Sequence, residues 1–272
     1  MISKLKIIEM AEIRDLRIAV IGGGAMGSAI ISGLLSYPQI NPGHLSVSNP
    51  HTEKLEIFKS KGVRVYADNL DAIQNADLIV LAVKPWILPE VICEIRDKLN
   101  LQNIEVCSIA AGINSEELKS FFKDSLPQNL CIAMPNTAMK VKESMTFIVD
   151  IIGKPEKTRL LFKELGKVME ITETQLPGAM ALASCGIAFA FRYIRAACEG
   201  GVELGIRAKE AQDIVCQTLK GAVQILSLPD SHPEVEIDKV TTPGGFTIRG
   251  LNAMERAGFT KAVIEGLKAC VK

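Results

Sequence analysis

Arg17-Ile-Ala-Val-Ile-Gly-Gly-Gly-Ala-Met-Gly27 is the stretch whose reading decides the fold. A run of β-formers, Arg17–Ile21, ends in glycines and leads into a helix-forming stretch, Ala25–Leu35. Strand, glycine turn and helix in that order are the setting in which Gly-x-Gly-x-x-Gly, here Gly22, Gly24 and Gly27, binds a dinucleotide. Gly22 permits the tight turn, and Gly24 lets backbone amides approach a pyrophosphate. Gly27 lets the helix pack against the strand. The helix N-terminus, with Ala25 and Met26 in its first turn, offers free N–H groups and a positive dipole to the phosphates.

Working outward, short apolar runs recur at Leu45–Ser48, Val63–Val65, Leu78–Ala82, Glu105–Ser108, Leu130–Ala133, Thr146–Ile152 and Val168–Thr172. Runs that are apolar without clean alternation suit strands covered on both faces, as in a parallel sheet. Between them Glu53–Lys61 and Ser115–Phe122 read as helices, the latter with Asn114 as N-cap and Glu117 three residues on. Alternating strand and helix predict a Rossmann-like, doubly wound α/β domain. After Thr172 the pattern changes. Gly178–Leu204, Ala208–Leu228, Ile248–Ala257 and Lys261–Lys272 read as helices, with a turn at Pro243-Gly244-Gly245. The expected division is a leader over 1–14, a dinucleotide-binding domain over 15–174, and an all-helical domain over 175–272.

Composition narrows the function. Thirty-one basic and thirty-one acidic residues cancel, so no net field favours nucleic acid or an anionic membrane. The three histidines and seven scattered cysteines have no ligand spacing and no Cys-x-x-Cys pair, so no metal centre is expected. The cysteines read as reduced, core-filling thiols, and the N-terminus lacks a secretory pattern, so the expected location is cytoplasmic. Thr174–Phe191 carries no charge; its solid apolar part is short for a membrane span and is expected to be a buried or interface helix.

A dinucleotide site that takes NAD usually ends its second strand in a carboxylate that holds the ribose 2′-hydroxyl. Here the second strand ends Val47-Ser48-Asn49-Pro50, followed by His51, Thr52 and Lys54. Removing the carboxylate removes a charge that repels a 2′-phosphate, so NADP is expected ahead of NAD.

Three further strings accompany the glycine turn: Ala82-Val83-Lys84-Pro85, Met134-Pro135-Asn136-Thr137, and Val240-Thr241-Thr242-Pro243-Gly244-Gly245-Phe246-Thr247. In this order and spacing the chain, from about Leu16 to its end, resembles the pyrroline-5-carboxylate reductase family. The resemblance implies NAD(P)H-dependent reduction of the cyclic imine 1-pyrroline-5-carboxylate to L-proline, the last step of proline biosynthesis. It also implies a homodimer, or a multiple of one, formed through the helical domain. It places Thr242, Gly244, Gly245, Phe246 and Thr247 at the substrate, with Thr247 nearest the ring nitrogen. Asn69, Ala82, Val83, Lys84, Pro85, Ala110, Ala111 and Gly112 border the cofactor, and Asn136 faces its nicotinamide end. Thr247 and Lys84 are the candidate catalytic residues. An imine needs chiefly positioning and hydrogen bonding, because the cofactor brings the hydride.

The chain departs from the family at Ile132, where an arginine is typical, over Ala183–Phe189, where Ser-Gly-Ser-Gly-Pro-Ala-Tyr is typical, and at Phe246, in place of a small residue. Two rival readings follow. A β-hydroxyacid dehydrogenase needs a general base, which that family carries as a lysine on the first long helix; Gly178–Phe191 holds no Lys, His, Asp, Glu or Asn. A non-catalytic NAD(P)-binding regulatory paralogue would keep the glycine turn but would not need Thr247.

Overall fold

The computed structural model describes residues 13–99 and 104–271. Contacts divide the chain into two compact units, one ending at Ser184 and one running from Cys185. In the first unit the strands are β1 (Ile18–Ile21), β2 (Leu45–Ser48), β3 (Arg64–Tyr66), β4 (Leu78–Leu81), β5 (Glu105–Ser108), β6 (Asn129–Met134), β7 (Ser144–Ile152) and β8 (Gly166–Glu170). They form one sheet in the order β3-β2-β1-β4-β5-β6-β7-β8. Its helices are α1 (Ala25–Leu35), α2 (Glu56–Lys59), α3 (Asn69–Ala72), α4 (Leu88–Ile95), α5 (Ser115–Phe122), α6 (Glu156–Glu164) and α7 (Leu176–Met180).

The continuous apolar runs are explained by burial on both faces. Ile18 and Val20 of β1, Leu78 and Val80 of β4, and Cys131 and Ala133 of β6 point into one core with Ile30, Ile31 and Leu34 of α1 and Phe162 of α6. The alternate residues Ala19, Ile21, Ile79, Leu81, Leu130 and Ile132 point into a second core against α4 and α5. A strand with helices on both sides has no polar face to alternate with. Asn114 caps α5 as expected, its Oδ1 accepting the Glu117 N–H at 2.8 Å. Residues 1–12 of the expected leader lie outside the described residues. Ile13, which follows them, is buried in the first core.

The sheet is not parallel throughout. β6 and β7 pair antiparallel, because the connection Pro135–Glu143 holds only the 3-10 turn Thr137–Val141 and is too short for a crossover to a parallel neighbour. After α6, β8 returns parallel to β7.

The second unit contains α8 (Gly186–Glu203), α9 (Ala208–Leu226), α10 (Pro233–Lys239), α11 (Phe246–Arg256) and α12 (Phe259–Ala269). Among its described residues Ala211 is the one buried hydrophobic residue, while Phe191, Ile214, Val223, Leu228 and Ile264 are exposed. Between α7 and α8 the chain makes a π turn, Ala181–Cys185. The helical run Glu173–Glu203 so formed is, at 31 residues, long and apolar enough to cross a membrane by length and composition. The sequence sets its solid apolar part below that length because Pro177, Gly178, Ser184 and Gly186 interrupt it; proline is tolerated in the first turn of α7.

Candidate functional site

The strand order reverses between β1 and β4, which carry the chain to opposite sides of the sheet. In an open α/β sheet the crevice outside the strand ends at that point is where ligands bind. A cleft of about 770 Å³ lies there. Gly22, Gly24, Ala25 and Met26 line it from the turn into α1. Asn49 lines it from the end of β2, Asn69 from α3, Ala82, Val83, Lys84 and Pro85 from the end of β4, and Ala110 and Ala111 from the end of β5.

The turn is built as its glycines require. Gly22 has φ +106°, and a Cβ there would stand 2.7 Å from the Ala82 carbonyl oxygen. Gly27 is not in the cleft wall: its missing Cβ is the space taken by the Gly22 carbonyl, so its part is to seat α1 on β1. Gly24 faces open space at the N-cap of α1, with no side chain capping the helix. The first-turn amides are thus open to a phosphate. This cradle, together with a cleft long enough to run from β2 to β5, fits a dinucleotide.

Lys84 is the one cation among the lining residues. It is exposed, with Nζ 6.0 Å from the centroid of the Trp86 ring. Three acids share the wall, Asp68, Glu90 and Glu94. The Asp68 carboxylate is occupied, accepting the Leu70 N–H at 2.7 Å as the cap of α3. The Ser48 hydroxyl donates to Asn69 Oδ1 at 2.7 Å, and Asn69 Nδ2 donates to Glu94 Oε2 at 2.8 Å. Asn69 therefore ties β2 to α4 across the floor of the cleft. Ser48, Glu90 and Glu94 were not singled out in the sequence. The signal for the glutamates was the spacing Leu88, Val91, Ile92, Ile95, which makes α4 amphipathic and sets Glu90 and Glu94 one turn apart.

Besides Gly27, two expected cofactor residues lie outside the cleft wall. Gly112 follows Ala111 with φ +84° and is exposed. Asn136 is 7% exposed and committed internally: Oδ1 accepts the Ala138 N–H at 3.0 Å, and Nδ2 donates to the Ala183 carbonyl at 3.3 Å. The buried carboxylate most perturbed by its surroundings, Glu105, is pushed upward by burial. It stands at the start of β5, the sheet end opposite the cleft, and accepts the Thr158 N–H at 2.6 Å at the head of α6. That is a structural cap.

In the second unit Thr242-Pro243-Gly244-Gly245 closes a type II turn, the Gly245 N–H donating to the Thr242 carbonyl at 2.9 Å. Proline suits its second position, and Gly244, at φ +69°, its third. Gly245 is the N-cap of α11, without a side-chain cap, and a Cβ on it would meet Thr242 Oγ1 at 2.5 Å. Phe246 is 88% exposed, with the Arg249 guanidinium 4.9 Å from its ring centroid. Thr247 stands exposed in the first turn of α11. All five expected substrate residues are thus gathered on one turn and the helix end it opens. Open amides beside a hydroxyl suit a small ligand with a carboxylate and a polar nitrogen.

Residues 173–272 match the family profile described as pyrroline-5-carboxylate reductase dimerisation, and residues 17–112 that of coenzyme F420-dependent NADP oxidoreductases. The chain is 34% identical to pyrroline-5-carboxylate reductase 2 of Dictyostelium discoideum, over 92% of this chain and 89% of that one. It is 31% identical to the pyrroline-5-carboxylate reductase of Synechocystis, over 95% and 97%. It spans about half the length, 48%, of the Dictyostelium protein named pyrroline-5-carboxylate reductase 1, at 35% identity over 93% of this chain. Among solved structures, the pyrroline-5-carboxylate reductase of Coxiella burnetii superposes with a TM-score of 0.83 at 29% identity, covering 94% of this chain and 96% of that one. The Plasmodium falciparum pyrroline carboxylate reductase with NADP bound gives 0.84 at 26%, covering 95% and 96%. With the glycine-turn cleft and the Thr242–Thr247 turn both in place, these likenesses establish that the chain belongs to the pyrroline-5-carboxylate reductase family.

Proposed function

We propose that the protein reduces 1-pyrroline-5-carboxylate to L-proline with NAD(P)H, NADPH ahead of NADH, and works as a homodimer. The observation that carries the reading is the Thr242–Gly245 turn opening α11 beside Thr247, in a chain of this family. NADPH bound in the cleft supplies the hydride that adds to the C=N carbon. The turn of Gly22–Gly27 holds its pyrophosphate, and Lys84 adds the one cationic side chain of the cleft wall. The open amides of α11 bind the substrate carboxylate without a bulky cation. The Thr247 hydroxyl accepts a hydrogen bond from the iminium N–H. As the C=N electron pair moves onto nitrogen, it can turn and donate to the amine. No general base is needed, which fits the absence of Lys, His, Asp, Glu and Asn over Gly178–Phe191 and separates this chemistry from alcohol oxidation.

The exposed apolar helices support self-association. A helical unit with one buried hydrophobic residue among those described needs a second surface to cover Phe191, Ile214 and Val223. The match of residues 173–272 to a dimerisation family favours another copy of this chain over lipid as that surface. A cytoplasmic location is supported by seven cysteines that are all free thiols.

The test is cofactor oxidation with pyrroline-5-carboxylate beside other cyclic imines and 3-oxoacids. We expect turnover of the imine with a lower KM for NADPH than for NADH. Asn49→Asp is expected to reverse that order, because it restores a carboxylate where a 2′-phosphate is accommodated. Binding of NADPH without turnover of any imine would instead support a regulatory paralogue.

A further inference from the structure

We propose that Glu94 is a positioning residue for the cofactor: it fixes the Asn69 carboxamide so that the remaining Nδ2 N–H donates to an acceptor on the adenosine half of the dinucleotide. The assignment rests on the reading of the cleft as an NAD(P)H site, and Ser48, Asn69 and Glu94 all line that cleft. Local structure leaves the Asn69 side chain free for such a task. Asn69 opens the short helix α3, but the cap is the residue before it: Asp68 Oδ1 accepts the Leu70 N–H at 2.7 Å and the Asp71 N–H at 3.2 Å.

The Asn69 carboxamide bridges two elements instead. Its oxygen accepts the Ser48 hydroxyl at 2.7 Å, and its nitrogen donates to Glu94 Oε2 at 2.8 Å. The two partners do not dictate equally. A serine hydroxyl can donate or accept, so Ser48 would hold the amide in either of its two orientations. An ionised carboxylate only accepts, so Glu94 is the partner that requires the amide nitrogen on its side. One bond to each leaves the second N–H of Asn69 uncommitted among the described residues.

Electrostatics alone disfavours a carboxylate at this place. Glu94 is exposed in the last turn of α4, where the helix dipole opposes a negative charge. It also faces a cleft that would receive a polyanion, and like charges repel. The bond to Asn69 stands against both effects. Position then identifies the half of the ligand concerned. A dinucleotide whose pyrophosphate lies on the Gly22–Gly27 turn sends its adenosine half toward β2. Ser48 ends β2, and Asn69 follows β3, the next strand outward. The acceptors on that half are ribose oxygens and adenine ring nitrogens, either of which takes an amide N–H.

The test is calorimetric titration with NADPH and with 2′-phospho-ADP-ribose, which lacks the nicotinamide ring. Glu94→Ala is expected to weaken both ligands about fivefold, the net worth of one hydrogen bond. Glu94→Gln keeps an acceptor without the charge and should bind both at least as tightly as the wild type. A carboxylate that is only a bystander charge would give the opposite sign, with Glu94→Ala binding more tightly. Because Glu94 acts through Asn69, Glu94→Ala should cause no further loss in a chain already carrying Asn69→Ala. Unchanged or tighter binding by Glu94→Ala, a loss in Glu94→Gln equal to that in Glu94→Ala, additive losses in the double variant, or a loss for NADPH that the fragment does not share would overturn the assignment. Imine turnover by the wild type, measured on the same preparation, reports separately on the proposed function: a wild type that binds both ligands but reduces no imine fails that reading alone.

Discussion

Gly27→Ala is expected to weaken dinucleotide binding about a hundredfold and to destabilise the first unit. A methyl group at this position would be built into the Gly22 carbonyl and lie 3.1 Å from Val20 Cγ1. Neither neighbour can move freely, because Gly22 is itself pressed against the Ala82 carbonyl and its N–H is bonded to the Ser48 carbonyl at 3.0 Å. Overpacking of this kind costs about 3 kcal/mol, which lowers the Tm of a chain of this size by roughly 10 °C. If the variant relaxes by lifting α1 off β1, the phosphate cradle moves with it. The same energy charged against binding weakens NADPH roughly a hundredfold. Gly24→Ala is the contrast: its Cβ meets no protein atom within 4 Å, so binding should fall with the Tm unmoved. Thermal melting and NADPH titration of both variants check the pair.

Thr247→Ala is expected to lower kcat/KM for the imine about a hundredfold while NADPH affinity stays within about twofold. Removing a hydrogen-bonding group that acts on the reacting atom costs two or more orders of magnitude in the chemical step. Thr247 stands exposed in the first turn of α11, so its loss opens no cavity. Thr247→Ser keeps the hydroxyl and should restore most of the rate. Equal losses in turnover and NADPH binding would show that the turn is not a substrate site.

The first unit was legible because burial on two faces leaves a direct trace in sequence. Ile18–Ile21 and Leu78–Leu81 are apolar at every position, and each run read from the sequence overlaps a strand of the sheet. The crossover helices were harder. Leu88–Ile95 begins with Leu88-Pro89 and has no side-chain cap, and Glu156–Glu164 follows Pro155, also without one. Neither offers the start signal that Asn114 gives to α5. The reversal of direction at β7 depends on the length and shape of a connection, which apolar periodicity does not report.

The site divides in the same way. Residues that act through backbone geometry, such as Gly22 and Gly245, announce themselves by type, since few other residues fit. Residues that act through tertiary contact do not. Family resemblance put Asn136 at the nicotinamide end, but its bond to the Ala183 carbonyl joins segments far apart in the chain. Asn69 was expected at the cofactor; its bonds to Ser48 and Glu94 show that it also braces the cleft floor.

We propose that the cofactor cleft and the Thr242–Thr247 turn serve one hydride transfer to an imine carbon. The most direct measurement is reduction of 1-pyrroline-5-carboxylate with NADPH deuterated at nicotinamide C4, the proline being read by mass and NMR. With deuterium on the transferred face, one deuterium per proline is expected, at ring carbon 5. Unlabelled proline from cofactor deuterated on either face, or consumption of NADPH without proline, would contradict it.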